Sequence, residues 1–155
     1  MPPLPRRAAL GLMLCALAAC GVRNDDKAVS RAGLQPGETP ELHRLINRYA
    51  DAYDMPASLI HRVIQRESGY NPAARNGSYY GLMQIMPQTA QTMGYRGSPQ
   101  GLLDAETNLK YAGKYLRGAW MVSRGSQDRA VSWYSKGYYY EAKRRGMLEE
   151  TGLRS

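Results

Sequence analysis

The chain has 155 residues, a net charge of +8, two cysteines and two histidines. This length is enough for one domain with a modest core, and the few cysteines and histidines argue against a disulfide framework or a zinc site. We therefore expect no metal and no cofactor, and the positive charge favours an anionic polymer or an anionic lipid surface as a partner.

The first twenty residues have the pattern of an export signal. Arg6 and Arg7 precede an apolar run over residues 8–19, which is too short to cross a bilayer as a mature helix. The run ends in Leu17-Ala18-Ala19-Cys20, which resembles the lipobox of bacterial lipoproteins, where the cysteine is acylated. The prediction is a lipoprotein signal peptide over residues 1–19 with lipidation at Cys20. The alternative is an ordinary secretory signal that is cleaved nearby.

Export decides which partners are expected. Removal of residues 1–19 takes away Arg6 and Arg7, which leaves 19 basic and 13 acidic residues and a net charge of +6. A basic domain in the cell envelope, facing the periplasm, meets cell-wall polymer and lipid headgroups, so nucleic acid is not expected as a partner. Gly21 after the cysteine is unlike the Asp that marks inner-membrane retention in enteric bacteria, which favours the outer membrane.

A folded domain is predicted over residues 39–146, after a tether. Residues 20–38 are polar and aperiodic, which is typical of a flexible linker between a lipid anchor and a domain. Thr39 and Pro40 have the pattern of a helix start, with a side-chain cap followed by proline in the first turn. This first helix is predicted to end near Tyr53.

The following segments alternate between helix and irregular structure. A second helix is predicted from about Pro56 to Glu67, because Gly69 stops it and the Asn-Pro pair that follows does not allow it to resume. The predictions that follow are an irregular segment over 73–80, a short helix from Pro87 to Met93 and a loop over 94–103.

The last third of the chain is also predicted to be helical. Asp104 is a good cap for a long helix that continues to Ser123. Ser126 or Asp128 caps the next helix, which Gly137 ends, and a last helix covers Tyr138 to Arg145. Residues 147–155 are predicted to be a frayed tail. Because no convincing strand alternation occurs, the fold class is all-α, with at most a marginal α+β character.

Glu67 stands out because it continues an apolar stripe. It lies three positions after Ile64 and four after Val63, so it falls on the same helix face. Burial and the negative end of the helix dipole both raise a carboxyl pKa, and a raised pKa suits a general acid near neutral pH. The alternative is a structural glutamate that caps a group or faces solvent. His61, six positions earlier, lies about 240° round the helix and is interpreted as structural or solvated.

Four blocks in order resemble the lytic transglycosylase family of the soluble type, which has a lysozyme-like fold. They are Glu67-Ser68-Gly69-Tyr70-Asn71-Pro72, Gly81-Leu82-Met83-Gln84-Ile85-Met86-Pro87, Asp104-Ala105-Glu106-Thr107-Asn108-Leu109, and Trp133-Tyr134-Ser135-Lys136-Gly137. The resemblance covers roughly residues 40–145. In the last block the family usually has Asn where this chain has Ser135, which puts one substrate contact in doubt.

The resemblance implies an all-α, lysozyme-like domain with a substrate cleft that cleaves the glycan strands of peptidoglycan between N-acetylmuramic acid and N-acetylglucosamine. The muramoyl C6 hydroxyl, rather than water, attacks C1 and leaves a 1,6-anhydro end, with Glu67 as the sole acid and base. Tyr134 would hold Glu67 in position, and Ser68 and Gln84 would hydrogen-bond the sugar. The remaining implied contacts are a sugar face on Met83, backbone approach at Gly81, and the altered contact at Ser135.

The residues are also compatible with two other functions. A lysozyme-like hydrolase usually needs a second carboxylate. The candidates have structural explanations as caps, turn residues or first-turn acids: Asp54, Asp104, Glu106 and Asp128. A non-catalytic envelope-binding protein with a degenerate fold is the other alternative. Partners beyond the glycan strands and the membrane would be envelope proteins or a secretion machine.

Overall fold

The computed structural model describes residues 33–154. The predicted signal peptide, Cys20 and the first part of the predicted tether lie outside these residues. The helices are α1 (Pro40–Ala52), α2 (Ala57–Glu67), α3 (Pro87–Thr92), α4 (Ala105–Val122), α5 (Gln127–Lys136) and α6 (Tyr139–Arg144). Strands β1 (Arg75–Asn76) and β2 (Tyr79–Tyr80) pair antiparallel between α2 and α3, and a 3₁₀ helix covers Pro99–Leu103.

The helix starts follow from local capping chemistry. The Thr39 hydroxyl accepts a hydrogen bond from the Leu42 N–H at the start of α1, 3.2 Å away. The Asp104 carboxylate accepts from the Thr107 N–H at 2.8 Å, and Ser126, rather than Asp128, caps α5. Each cap satisfies an N–H group that has no partner inside its helix, so these boundaries could be predicted from short-range sequence.

Helix α4 is the centre of the domain. It contacts α1, α3, α5 and the 3₁₀ helix, and Leu109, Ala112 and Leu116 on its inner face are completely buried. The described part of the chain is mostly helical with one small two-stranded sheet, which confirms the all-α prediction. None of the helices between residues 33 and 154 is both long enough and apolar enough to cross a bilayer.

Two predicted flexible segments are folded where the structure describes them. At the end of the predicted tether, the Glu38 side chain is fully buried and accepts a hydrogen bond from the Gln35 N–H. In the predicted tail, Leu148 and Thr151 are buried, and the Thr151 hydroxyl bonds the Met147 carbonyl. At residues 33–38 and in the tail the structure differs from these predictions, because polar sequence without periodicity does not reveal a few anchoring residues.

The predicted irregular regions also contain short regular elements. The loop predicted over residues 94–103 includes the 3₁₀ helix, which buries Leu102. The irregular segment over 73–80 is a tight hairpin, and Tyr80 makes a further bridge to Ile85. Elements this short carry no periodic signal that a sequence pattern could show.

Candidate active site

Glu67 is the last residue of α2, and its carboxyl group is partly withdrawn from solvent. Its side chain is 24% exposed, and the preceding turn is anchored by Val63 and Ile64, which are completely buried. Burial raises the pKa of Glu67, and the Arg66 guanidinium opposes this rise from 3.6 Å away. The direction and the main cause agree with the prediction from the apolar stripe.

The Glu67 carboxyl group opens onto a cavity of about 320 Å³. The walls come from the end of α2, the hairpin, the turn before α3 and helix α5. The lining residues are Arg66, Glu67, Asn76, Tyr79, Gln84, Tyr134 and Ser135. Glu67 is the only carboxylate in this set drawn from residues 33–154, so a ligand here meets one acid.

A second cavity of about 150 Å³ continues from the first toward α3. The two cavities share four lining residues, which are Tyr79, Gln84, Tyr134 and Ser135. The second cavity also reaches Tyr115 and Lys136. The two cavities therefore form one open groove with an aromatic and basic lining, a shape that admits an extended chain rather than a compact small molecule.

Gln84 lies at a strained turn that forms one wall of the groove. Its φ is 49°, a left-handed conformation that non-glycine residues rarely adopt and that often marks functional sites. Its side-chain nitrogen donates to the carbonyls of Ala74 and Gly81, at 3.1 and 2.9 Å. Since the nitrogen is engaged by the protein, the amide oxygen is the atom left to meet a ligand.

Gly81 is required by packing inside the protein. Its φ is 78°, and a Cβ there would lie 2.2 Å from the Leu102 carbonyl oxygen and 2.3 Å from Asn108 Nδ2. Gly81 is buried, so the close approach predicted for a ligand is made instead by the protein's own 3₁₀ helix and α4. This corrects the substrate-contact role that the sequence motif suggested.

Asn108 holds the turn onto the central helix. It is completely buried; its Oδ1 accepts from the Met83 N–H at 2.9 Å, and its Nδ2 donates to the carbonyls of Tyr80 and Leu102 at 2.8 Å. One amide thus satisfies the Met83 N–H and the Leu102 carbonyl, and it adds a second hydrogen bond to the Tyr80 carbonyl, which also accepts from the Ile85 N–H. This role was not predicted from the sequence, although a polar residue beside Leu109 on the inner face of α4 is a usable signal.

Tyr134 supports the groove through Met83. Its hydroxyl donates to the Met83 carbonyl oxygen at 2.8 Å, whereas the family resemblance implied that it would hold the Glu67 carboxyl group. Burial raises the pKa of Tyr134 well above its ordinary range, and the nearby charge of Glu67 adds to the effect. Tyr134 is therefore a neutral phenol that lines the cavity and fixes the turn on which Gln84 lies.

The Met83 side chain is completely buried in the core. The prediction that it packs against a sugar face was wrong, because its backbone rather than its side chain serves the site through Asn108 and Tyr134. Ser68 caps α2, and its hydroxyl bonds the Ile64 carbonyl at 3.4 Å. Ser68 does not line the cavity, whereas Ser135 is exposed there and bonds the Val131 carbonyl.

Three lining residues were not singled out from the sequence. Arg66 precedes the acid, and Asn76 and Tyr79 come from the hairpin across the groove. The hairpin residues follow Glu67 closely in sequence, but only the pairing of β1 with β2 shows that they turn back toward it. Their polar and aromatic side chains are the types that bind sugars by hydrogen bonds and stacking.

The other acids considered as partners of Glu67 are engaged elsewhere. Asp104 caps α4, Glu106 pairs with Arg48 at 2.7 Å, and Asp128 pairs with Arg62 at 2.6 Å. Asp54 is in the turn after α1. None of these four acids lines either part of the groove.

The fold and the groove together define a helical domain with an open cleft built around a single acid. The family model of the transglycosylase SLT domain matches residues 44–146, and the chain belongs to this family. The match covers α4, α5, the hairpin and Glu67, so the whole groove lies inside it.

Curated relatives agree with this assignment. Proteins named soluble lytic murein transglycosylase from Escherichia coli K12 and from Escherichia coli O157:H7 are each 37% identical to this chain over 81 aligned residues. The alignment covers 47% of this chain and 12% of each relative, so the chain corresponds to a small part of those proteins. No solved structure gave a significant match.

Proposed function

We propose that this protein is a lytic transglycosylase that cleaves the glycan strands of peptidoglycan between N-acetylmuramic acid and N-acetylglucosamine. The observation that carries the proposal is the lone carboxylate of Glu67 in a groove otherwise lined by aromatic, amide, hydroxyl and basic groups. Membership of the transglycosylase SLT domain family and the names of the curated relatives support the same reaction.

A single acid is sufficient if the nucleophile belongs to the substrate. Protonated Glu67 gives its proton to the glycosidic oxygen as the bond from that oxygen to C1 of the muramoyl residue breaks. The muramoyl C6 hydroxyl forms the new bond to C1, and its proton goes to the Glu67 carboxylate, which regenerates the acid. The products are a free N-acetylglucosamine hydroxyl and a 1,6-anhydromuramoyl end, and no water is consumed.

The surroundings of Glu67 suit both halves of this cycle. Partial burial raises the pKa, so the acid retains its proton closer to neutral pH than an ordinary glutamate does. The neighbouring Arg66 stabilises the carboxylate that forms when the proton leaves. Hydrolases that use water or a covalent intermediate place a second carboxylate about 5–9.5 Å from the first, and none of the described residues of the groove supplies one.

Arg66 and Lys136 give the groove two positive charges, which favour a polymer with acidic substituents. The Gln84 amide oxygen and the Tyr79 ring, which is 46% exposed, are the groups we assign to sugar binding. The Ser135 hydroxyl offers fewer hydrogen bonds than the amide usual in the family, so we expect weaker binding of one sugar than an Asn would give.

The reaction is tested by digesting purified peptidoglycan in ¹⁸O-labelled water and analysing the released muropeptides by mass spectrometry. We expect anhydro-muropeptides, each lighter by one water than the reducing form, without ¹⁸O. Glu67→Gln should release none, while Glu106→Gln, which changes an exposed acid paired with Arg48, should behave as wild type. Reducing ends that carry ¹⁸O would instead identify a hydrolase.

We further propose that the protein is exported and anchored through lipid on Cys20 to the outer membrane, facing the periplasm, where peptidoglycan is within reach. The support is the order of positive residues, apolar run and Leu-Ala-Ala-Cys in the sequence. Expressed in a Gram-negative host, the wild-type chain should fractionate with outer membranes, and Cys20→Ala should appear in the soluble periplasmic fraction. Equal distribution of both proteins would contradict the anchor.

A further inference from the structure

A second cluster of titratable side chains lies on a different face of α2 from the groove. It contains Glu38, His43, His61 and Tyr70, and one potential ligand atom from each of the first three lies within 4.8 Å of the others. His43 comes from α1, His61 from α2 and Glu38 from the turn before α1. Nothing in the proposed lytic reaction uses these groups.

Both histidines present Nδ1 to the same carboxylate oxygen. Glu38 Oε1 lies 3.0 Å from His43 Nδ1 and 3.7 Å from His61 Nδ1. In a tetrahedral zinc site with ligand distances of about 2.0–2.1 Å, neighbouring ligand atoms are about 3.3 Å apart. The two observed separations bracket this value, and all three ligand atoms lie within 4.8 Å of one another, so side-chain rotations would bring the three atoms into contact with one ion.

Two further groups contact the cluster, one at the carboxylate and one at His61. Glu38 Oε2 accepts a hydrogen bond from the Gln35 N–H at 2.8 Å, which fixes the orientation of the carboxylate. The Tyr70 hydroxyl lies 2.8 Å from His61 Nδ1, and its ring packs against the His61 ring with centroids 5.9 Å apart. The contact on Glu38 is of the kind that orients a ligand and increases metal affinity. The Tyr70 hydroxyl bonds the nitrogen that would bind the ion, so on metal binding this hydrogen bond would pass to a metal-bound water.

An ion could reach the cluster from solvent. The Glu38 side chain is fully buried, whereas the side chains of His43 and His61 keep 23% and 18% of their exposure. The cluster therefore combines a buried anionic oxygen with two imidazole side chains that are partly exposed. Two imidazoles and one carboxylate favour zinc-like transition metals over magnesium or calcium, which prefer all-oxygen ligands.

We propose that Glu38, His43 and His61 bind one divalent transition metal ion of the zinc class, with a water next to the Tyr70 hydroxyl in the fourth position. The sequence argued against a zinc site because it offers few ligands. The fold places both of its histidines beside a buried carboxylate, which a count of residue types does not show.

The bound ion would join three segments of the domain. It would link the turn that ends at Glu38 with α1 and α2, and this turn also lies against the residues that follow Glu67. A Cβ on Gly37 would be 2.8 Å from the Gly69 carbonyl oxygen, so these two backbones are already in close contact. Metal binding should therefore raise the unfolding temperature without contributing a group to the groove.

The test uses the full 155-residue chain with Cys15→Ser and Cys20→Ser, so that no thiol competes for the metal. Calorimetric titration with ZnCl₂ should give one site per chain, and ZnCl₂ should raise the unfolding temperature while MgCl₂ does not. His43→Ala and His61→Ala should each weaken the affinity by at least about tenfold. Glu106→Gln is the matched control for an acid outside the cluster and should leave the affinity unchanged.

A measurement on this chain with its histidines intact keeps the test independent of variant folding. Zinc should shift the imidazole ¹⁵N resonances of both His43 and His61, and cobalt should give the visible absorption of a tetrahedral site. Unshifted histidine resonances, or equal zinc affinity in the parent chain and both histidine variants, would overturn the proposal and leave the cluster as a hydrogen-bonded clamp. Neither result depends on lytic activity.

Discussion

Glu38 and Glu67 are two glutamates with very different surroundings beside the same helix. The Glu38 carboxylate is fully buried and is hydrogen-bonded by the Gln35 N–H and by His43. The Glu67 carboxyl group is less buried, yet its only ion-pair partner among residues 33–154 is Arg66, and burial dominates its pKa. A buried acid with partners stabilises the fold, whereas an acid withdrawn from water without hydrogen-bond donors keeps its proton available for chemistry.

The largest expected effect concerns the acid without partners. Glu67→Gln retains the shape of the side chain but cannot exchange a proton with the substrate. We expect the rate of anhydro-muropeptide release to fall by about 10²–10⁴-fold, the range for loss of a general acid and base. Glu38→Gln should retain most of this activity, because Glu38 does not line the groove. Equal losses in the two variants would remove the distinction between the two glutamates.

Asn108 is a buried polar group that, like Glu38, has hydrogen-bond partners within the protein. Asn108→Ala leaves the Met83 N–H and the carbonyls of Tyr80 and Leu102 without this partner. We expect a loss of at least about 2 kcal/mol in the free energy of unfolding, measured by urea denaturation. The matched control is Asn47→Ala, at a partly exposed position of α1, where the change should be within about 0.5 kcal/mol.

The same substitution at the two glutamates should change stability in opposite directions. Burial raises the pKa of Glu67 in the folded state above its value in the unfolded state. The protonated side chain is therefore the form that suits the fold: its contribution to stability is full below the unfolded-state pKa and is lost as pH rises through the folded-state pKa. At pH 7, Glu67→Gln should therefore be more stable than wild type, and this gain should vanish in acid. Glu38→Gln should lose about 1 kcal/mol at pH 7, because it weakens charge-assisted hydrogen bonds.

Urea unfolding of the three proteins at pH 7 and in acid checks both signs. A Glu67→Gln variant that is less stable than wild type at pH 7 would mean that the carboxylate has stabilising contacts, in conflict with the surroundings described above.

The smallest effect concerns the one charge beside Glu67. Arg66 lowers the pKa of Glu67, so Arg66→Gln should raise it further. Since the first step needs the protonated acid, the alkaline limb of the kcat/KM profile should move to higher pH. Arg62 lies one turn earlier on α2 and pairs with Asp128. Arg62→Gln should therefore leave the alkaline limb of the kcat/KM profile unchanged. A shift to lower pH in Arg66→Gln would contradict this assignment.

How much the sequence could predict depended on the range of the interactions. The helix starts at Thr39 and Asp104 were predictable, and that at Ser126 was one of two candidates, because each cap bonds a residue three positions away. The position and raised pKa of Glu67 also followed from a local apolar stripe. The family motifs identified the region of Gln84 and Tyr134 without showing how their side chains are used.

The supports of the site could not be predicted because they join distant segments. Asn108 bonds Met83 across 25 positions, and Tyr134 bonds the same residue across 51. No spacing rule relates such pairs, so Met83 was assigned to the ligand although its side chain lies in the core. For the same reason, the sequence did not predict that His43 and His61 both lie beside Glu38.

The proposed role of Glu67 depends on a carboxyl group that is partly buried and lacks hydrogen-bond donors among the described residues. The most direct test is the titration of this carboxyl group. The side-chain carboxyl ¹³C resonance of Glu67, assigned by its absence from the Glu67→Gln spectrum, should be followed by NMR across pH. We predict a midpoint above the ordinary glutamate value of about 4.3. A midpoint at or below that value would show that the carboxylate is stabilised in the fold and would contradict the account, even in an active enzyme.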